Sequence, residues 1–103
     1  MTQRAKHGKM SKYLVLNTWN DYDCGSPCAR LVDDQMYDTW QDAYDAMVKD
    51  ILDVYEVSSV DDLEYEHDIP PRDKEGARTH KCATAWVYDD DGESLWRIHK
   101  IGA

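Results

Sequence analysis

The sequence predicts an α+β domain: an antiparallel sheet with one amphipathic helix packed on one face. Three observations carry that prediction. Residues 12–19 form a short, apolar run rich in β-formers. Residues 38–56 carry apolar side chains at spacings of three and four. Residues 81–101 hold two β-prone runs around Asp89-Asp90-Asp91-Gly92, a tight-turn sequence. The order is β-β-α-β-β, and a helix laid over one sheet face is the economical way to bury the apolar side of each.

At 103 residues the chain is one domain in length. Hydrophobic residues make up 42%, with four Trp and seven Tyr, enough for one modest core and too much for a disordered chain. Residues 1–9, MTQRAKHGK, are basic, polar and without periodicity. They read as a disordered arm or a non-native extension, and residues 10–103 as a single α+β domain.

Each element has its own local reason. The first strand is expected over 12–19. NDYDCGSPC follows as a loop, because Asn, Asp, Gly, Ser and Pro all favour turns. A short second strand is expected over 29–32, pairing with the first. The helix begins near Asp38 or Thr39, either of which can cap free N–H groups, with Asp42 placed like the acidic half of a capping box. Its apolar stripe is Trp40, Tyr44, Met47, Ile51 and Val54 or Tyr55. Asp42, Asp45, Asp53 and Glu56 lie opposite, with Lys49 among them. Ser58 or Ser59 would cap a second helical turn running to about Glu66, and Pro70-Pro71 ends it. A strand over 81–88, the turn and a strand over 93–101 complete the order. Alternation sends Trp96 and Ile98 to one face of the last strand, and Leu95, Arg97 and His99 to the other. The sheet face away from the helix is expected to be partly open, with Trp or Tyr exposed on it.

The longest apolar run near the start, Tyr13-Leu14-Val15-Leu16, is too short for a membrane span or a signal-peptide core, so a cytoplasmic protein is expected. Three cysteines, an odd count, favour reduced thiols over a disulfide framework. Cys24, Cys28, His80 and Cys82 have the residue types for a structural Cys₃His zinc site. The alternative makes Cys82 a buried core thiol and Cys24 and Cys28 loop residues. Asp89 to Glu93 offers oxygen ligands for calcium but lacks the twelve-residue loop with its terminal glutamate, and a hairpin turn explains it better. No glycine-flanked nucleophile, phosphate-cradling loop or His-Glu-x-x-His motif is present, so no enzymatic activity and no cofactor are expected.

Charge is the strongest signal. The formal net charge is −9, and residues 33–68 hold thirteen acids against the single base Lys49. Residues 1–32 are net basic, and residues 69–103 are balanced. A solvated surface ordinarily mixes signs to limit repulsion. One-sided charge repels nucleic acid and anionic membranes and attracts basic surfaces. Carboxylates three or four positions apart on a helix lie ~5–6 Å apart, close to the spacing of backbone phosphates along a strand. The expected partner is therefore a basic protein surface, reached by Asp38, Asp42, Asp45, Asp53, Glu56, Asp61, Asp62, Glu64 and Glu66. Tyr22, Tyr37 and Tyr65 could add aromatic contacts within that field.

The strand–loop–helix–hairpin order, with YDTWQDAYDAM opening the helix, resembles the small acidic proteins by which phages and mobile elements block host nucleases, the anti-CRISPR and anti-restriction class. The likeness spans roughly residues 11–101 as a general pattern of size, charge and element order. It implies a stoichiometric inhibitor that occupies the cationic nucleic-acid groove of a defence nuclease such as a CRISPR effector, by nucleic-acid mimicry. It assigns no residue a role. Two alternatives remain: an antitoxin or immunity-type protein that plugs a basic toxin active site, and a zinc-stabilised interaction module.

Overall fold

The computed structural model describes residues 12–21, 26–70 and 82–102. Five antiparallel strands form one sheet: β1 (Lys12–Asp21), β2 (Ser26–Leu31), β3 (Glu66–His67), β4 (Thr84–Asp89) and β5 (Gly92–Ile101). Their spatial order is β2-β1-β5-β4-β3, so the first and last long strands are central neighbours. One helix, α1 (Trp40–Val54), crosses a single face, and 3₁₀ turns at Val32–Asp34 and Val60–Asp62 flank it in sequence. The architecture is the expected α+β sheet-and-helix arrangement, with β3 as an additional edge strand. No helix among the described residues is long and apolar enough to cross a membrane.

Register decides what meets the helix. Val15 pairs with Ile98, Asn17 with Trp96 and Ala85 with Trp96, so these side chains share one face. Helix α1 brings Ala43, Tyr44, Met47, Val48 and Ile51 down on them, and Val32, Val60, Leu63 and Ile69 close the margins. Trp96, Val15, Val87 and Ile51 are fully buried. Burying a side chain the size of Ile51 or Met47 contributes about 1.5–3 kcal/mol. The far face carries Leu95 half-buried, Arg97 exposed and His99 half-buried, with Tyr88 exposed as expected of an open face.

Four local expectations need correction: strand β1 runs on to Asp21, so Asn20 and Asp21 belong to it and not to the loop, and three further bounds differ. Strand β2 begins at Ser26 and ends at Leu31, not over 29–32. Pro27 donates no hydrogen bond, and an edge strand tolerates that. Val32 leaves the strand to bury itself within a 3₁₀ turn. The second helical turn stops at Asp62, because three residues suffice to bury Val60 and Leu63; the chain then pairs Glu66 and His67 with the edge of β4. Strand β4 begins at Thr84, and Lys81 lies outside the described residues. Of the two residues expected to end the helix stripe, the half-buried Tyr55 is the one that packs inward, while Val54 is 46% exposed. Residues 1–9 also lie outside the described residues.

Both helix ends are fastened. At the start, the Thr39 hydroxyl accepts a hydrogen bond from the Asp42 N–H (3.0 Å), the capping role its position predicts. Before it, Tyr13 and Tyr37 exchange backbone hydrogen bonds, which pins the approach to the edge of β1. At the far end, the Val57 N–H reaches the Leu52 carbonyl and the Glu56 N–H reaches that of Asp53, a Schellman closure. That closure puts Glu56 at φ 56°, a left-handed conformation that glycine adopts most easily. Glu56→Gly is expected to raise stability by about 0.5–1 kcal/mol, since relief of the left-handed strain outweighs glycine's greater chain entropy. Urea denaturation measures this, and a less stable variant would contradict the strain assigned to Glu56.

Candidate acidic binding surface

The outer side of α1 is built by helical periodicity. Asp42, Asp45, Lys49 and Asp53 fall within an arc of roughly 80°, opposite Met47 and Ile51. All four are exposed. Lys49 Nζ donates to Asp53 Oδ2 (2.9 Å), and Gln41 Nε2 to Asp45 Oδ1 (2.8 Å). The Asp53 carboxylate holds the Lys49 ammonium above its ordinary pKa. Water and salt screen an exposed pair of this kind, so it adds little to stability.

The other members of the expected set lie before and after the helix in the chain. Asp38 stands exposed before the helix and accepts from Lys12 Nζ. Glu56 stands exposed just past the C-terminus. Asp61 and Asp62 occupy the second 3₁₀ turn, where the Ser59 hydroxyl donates to Asp62 (3.2 Å), and Glu64 follows, exposed. Glu66 is placed differently. It pairs opposite Tyr88 while His67 pairs opposite the buried Val87, so Glu66 points to the sheet face away from the helix. Of the aromatics, Tyr37 and Tyr65 are half-buried and Tyr22 lies outside the described residues.

Among the described residues three ion pairs form, and they engage Asp38, Asp50 and Asp53. The other ten acids of residues 33–68 have no cationic partner there. Asp33 and Asp34 belong to this group. Both are exposed and both take left-handed φ values, 57° and 53°. Asp33 accepts from the Tyr37 hydroxyl (2.7 Å), whose pKa is raised, first by burial and then by this bond.

Asp50 is the exception among the thirteen. Its side chain is 11% exposed and turns inward to the sheet. Arg30 donates to it twice, Nη1 to Oδ1 (3.1 Å) and Nη2 to Oδ2 (2.6 Å), and Trp96 Nε1 donates to Oδ2 (2.8 Å). Arg30 Nη2 also reaches Asn17 Oδ1 (3.2 Å), and the buried Asn17 donates to the Leu95 carbonyl (3.1 Å). The hydrogen bonds to Asp50 raise the Arg30 pKa further above its already high value. This network ties α1 to β1, β2 and β5.

Beside it, α1 and the β4–β5 hairpin enclose an open pocket of about 420 Å³. Trp19, Tyr55 and Trp96 supply its aromatic lining, and Asp53 and Asp89 its carboxylates. The Tyr55 hydroxyl donates to Asp89 Oδ2 (2.6 Å), while Asp89 Oδ1 accepts from the Asp91 N–H (2.9 Å) and shapes the turn. Asp89 pairs with Gly92, which takes φ 120°, so this stretch is a hairpin turn. Burial, and then the bond to Asp89, hold the Tyr55 hydroxyl well above its usual pKa. The folded state therefore keeps this proton more tightly than the unfolded chain, whose tyrosines ionise near ~10. Stability from the group is complete below that pH and is lost as pH rises beyond it. Tyr55→Phe is expected to make the fall in melting temperature above about pH 10 shallower than in the wild type; an identical slope would refute the assignment.

Two members of the candidate zinc set fall within the described residues, Cys28 and Cys82, and no three metal-ligating side chains gather among those residues. Cys24 and His80 lie outside them. The alternative placement is corrected as well: Cys82 is exposed and not a core thiol, and Cys28 sits in strand β2 and not in a loop.

Compared with known protein families, curated proteins and solved structures, the chain matches none.

Asp50 and the pocket are what sequence periodicity missed. Asp50 sits about 100° from the centre of the acidic arc. Arg30 is the only Lys or Arg between Lys12 and Lys49, and a lone base in so acidic a chain was the available signal that one carboxylate has an internal partner.

Proposed function

We propose that this protein is an acidic inhibitor that binds the cationic nucleic-acid groove of a host defence nuclease, as anti-CRISPR proteins do, with its carboxylates standing in for backbone phosphates. The observation that supports this is the solvent-facing row Asp42, Asp45 and Asp53 within a segment where ten acids have no cationic partner among the described residues. Such a surface carries self-repulsion in the free protein, and a basic partner relieves it. Asp38 and Glu56 flank the helix in the chain, and the exposed Asp61, Asp62 and Glu64 of the following connection belong to the same proposed surface. Glu66, on the other sheet face, is left out of the surface.

The mechanism is occupancy and involves no bond-making. Long-range attraction speeds the encounter, and the docked carboxylates exclude the nuclease's own substrate. The deciding experiment reverses Asp42, Asp45 and Asp53 to lysine and measures binding to the nuclease in competition with its nucleic acid. Loss of binding with the fold retained supports the proposal, and unchanged binding overturns it. An immunity-type protein that plugs a basic toxin active site would use the same surface, and the identity of the displaced substrate separates the two.

A further inference from the structure

The geometry points to the pocket between α1 and the β4–β5 hairpin as a receptor for one arginine side chain of the basic partner. This inference rests on the proposed acidic-surface reading and deepens it, because Asp53 belongs both to the helix arc and to the pocket lining.

Four features select that occupant. The first is size: about 420 Å³ lies at the small end of ligand sites, enough for one long side chain. The second is the aromatic lining. The half-buried rings of Trp19 and Tyr55 present surface to the pocket; the fully buried Trp96, 6.3 Å from Tyr55 between ring centroids, lies behind them as its floor. Aromatic faces attract a guanidinium and accept its apolar stem. The third is charge. Asp53 and Asp89 contribute two carboxylates. The lining's one cation, Arg30, is already committed to Asp50 through both terminal nitrogens, which leaves the pocket without a free positive charge to repel a guest. The fourth is the helix end. Val54 and Tyr55 line the pocket at the negative pole of α1, whose last turn contains no basic residue. A planar guanidinium can lie against a ring and still bond a carboxylate edge-on, which a point-like ammonium does less well. The carboxylates oppose an anionic guest; Asp53 already pairs with Lys49, and a neutral guest would leave the charge of Asp89 unanswered.

The experiment uses the full chain and two probes of nearly identical shape: N-acetyl-arginine amide and its neutral counterpart N-acetyl-citrulline amide. The indole N–H resonances of Trp19 and Trp96 are followed by NMR, with Trp86, a strand residue outside the pocket lining, as an internal control. Arginine is expected to shift the two pocket indoles with millimolar affinity and leave Trp86 in place, and citrulline is expected to bind about tenfold more weakly. Asp89→Asn keeps a hydrogen-bonding group toward Tyr55 and the turn, and it should weaken arginine binding about tenfold. Trp19→Leu, away from the Tyr55–Asp89 bond, should do the same. Equal binding of citrulline, or shifts no larger at Trp19 and Trp96 than at Trp86, would overturn the inference. So would indifference to both substitutions. None of these failures touches the proposed function, which stands or falls on reversal of Asp42, Asp45 and Asp53. Failure of that triple variant with arginine still bound would instead overturn the acidic surface and leave an isolated cation pocket.

Discussion

Asp50→Ala is expected to destabilise the protein by about 3 kcal/mol, a large share of the ~5–15 kcal/mol that hold a domain together. Asp50 looks like one more acid in an acidic helix, yet it accepts three hydrogen bonds, two from Arg30 and one from Trp96. Removing it strands both partners. The fully buried Trp96 loses the acceptor for its indole N–H, which by itself costs about 1–3 kcal/mol. Arg30 keeps Asn17 but loses its counter-charge; because its side chain is 37% exposed, water recovers part of that loss. The total therefore falls near the low end of the range for breaking a buried pair. Denaturation in urea gives the number, and Asp42→Ala, on the solvent side of the same helix, is the comparison. Its loss should stay within about 1 kcal/mol, the scale of one weakened helix start. Similar losses for both variants would remove the distinction drawn between a carboxylate that builds the fold and one that faces outward.

That distinction marks the limit of what periodicity alone discloses. The helix, its Thr39 cap, the β4–β5 hairpin and the inward side of Trp96 and Ile98 were legible because each follows from local spacing: 3.6 residues per turn, two per strand pleat, and turn residues at a hairpin. The β2–β1–β5–β4–β3 order was less so. A two-residue strand such as Glu66–His67 has no pattern of its own, and the partner edge of β4 decides its conformation. Asp50 and Arg30 are 20 residues apart in sequence and meet only because the β1–β2 pairing aligns Arg30 with Asn17. The pocket depends on tertiary closure in the same way. Trp19, Tyr55 and Asp89 come from β1, the helix end and β4, and no short stretch of sequence contains two of them.

The backbone adds an argument that counting charges does not. Asp33, Asp34 and Glu56 all hold left-handed φ values, where glycine or asparagine would be easier. Aspartate tolerates this region better than most residues, but glutamate at a helix closure does not. In a segment already burdened by repulsion, carboxylates occupy the very positions where a neutral residue would ease both strain and charge. Stability alone favours their replacement.

The association experiment tests the proposed binding role most directly. Reversing Asp42, Asp45 and Asp53 to lysine moves the formal net charge from −9 by two units at each of three sites, to −3. All three residues are exposed, and lysine is a better helix former than aspartate, so the fold should persist. The first turn loses a favourable dipole contact at Asp42, and Lys49 gains a like-charged neighbour at position 53, both small effects at exposed, screened positions. Relief of repulsion among the remaining acids offsets these losses. Binding to a cationic groove responds far more strongly. Each reversal replaces an attraction with a repulsion at close range, and the three together are expected to weaken association with the nuclease at least about 100-fold. Most of that change should appear in the association rate. Raising salt should slow the wild type steeply and the variant much less, because the variant keeps only Asp38, Glu56, Asp61, Asp62 and Glu64 of the attracting carboxylates. A variant that folds, binds as tightly as the wild type and keeps the same salt dependence would show that the carboxylates of α1 do not face the partner.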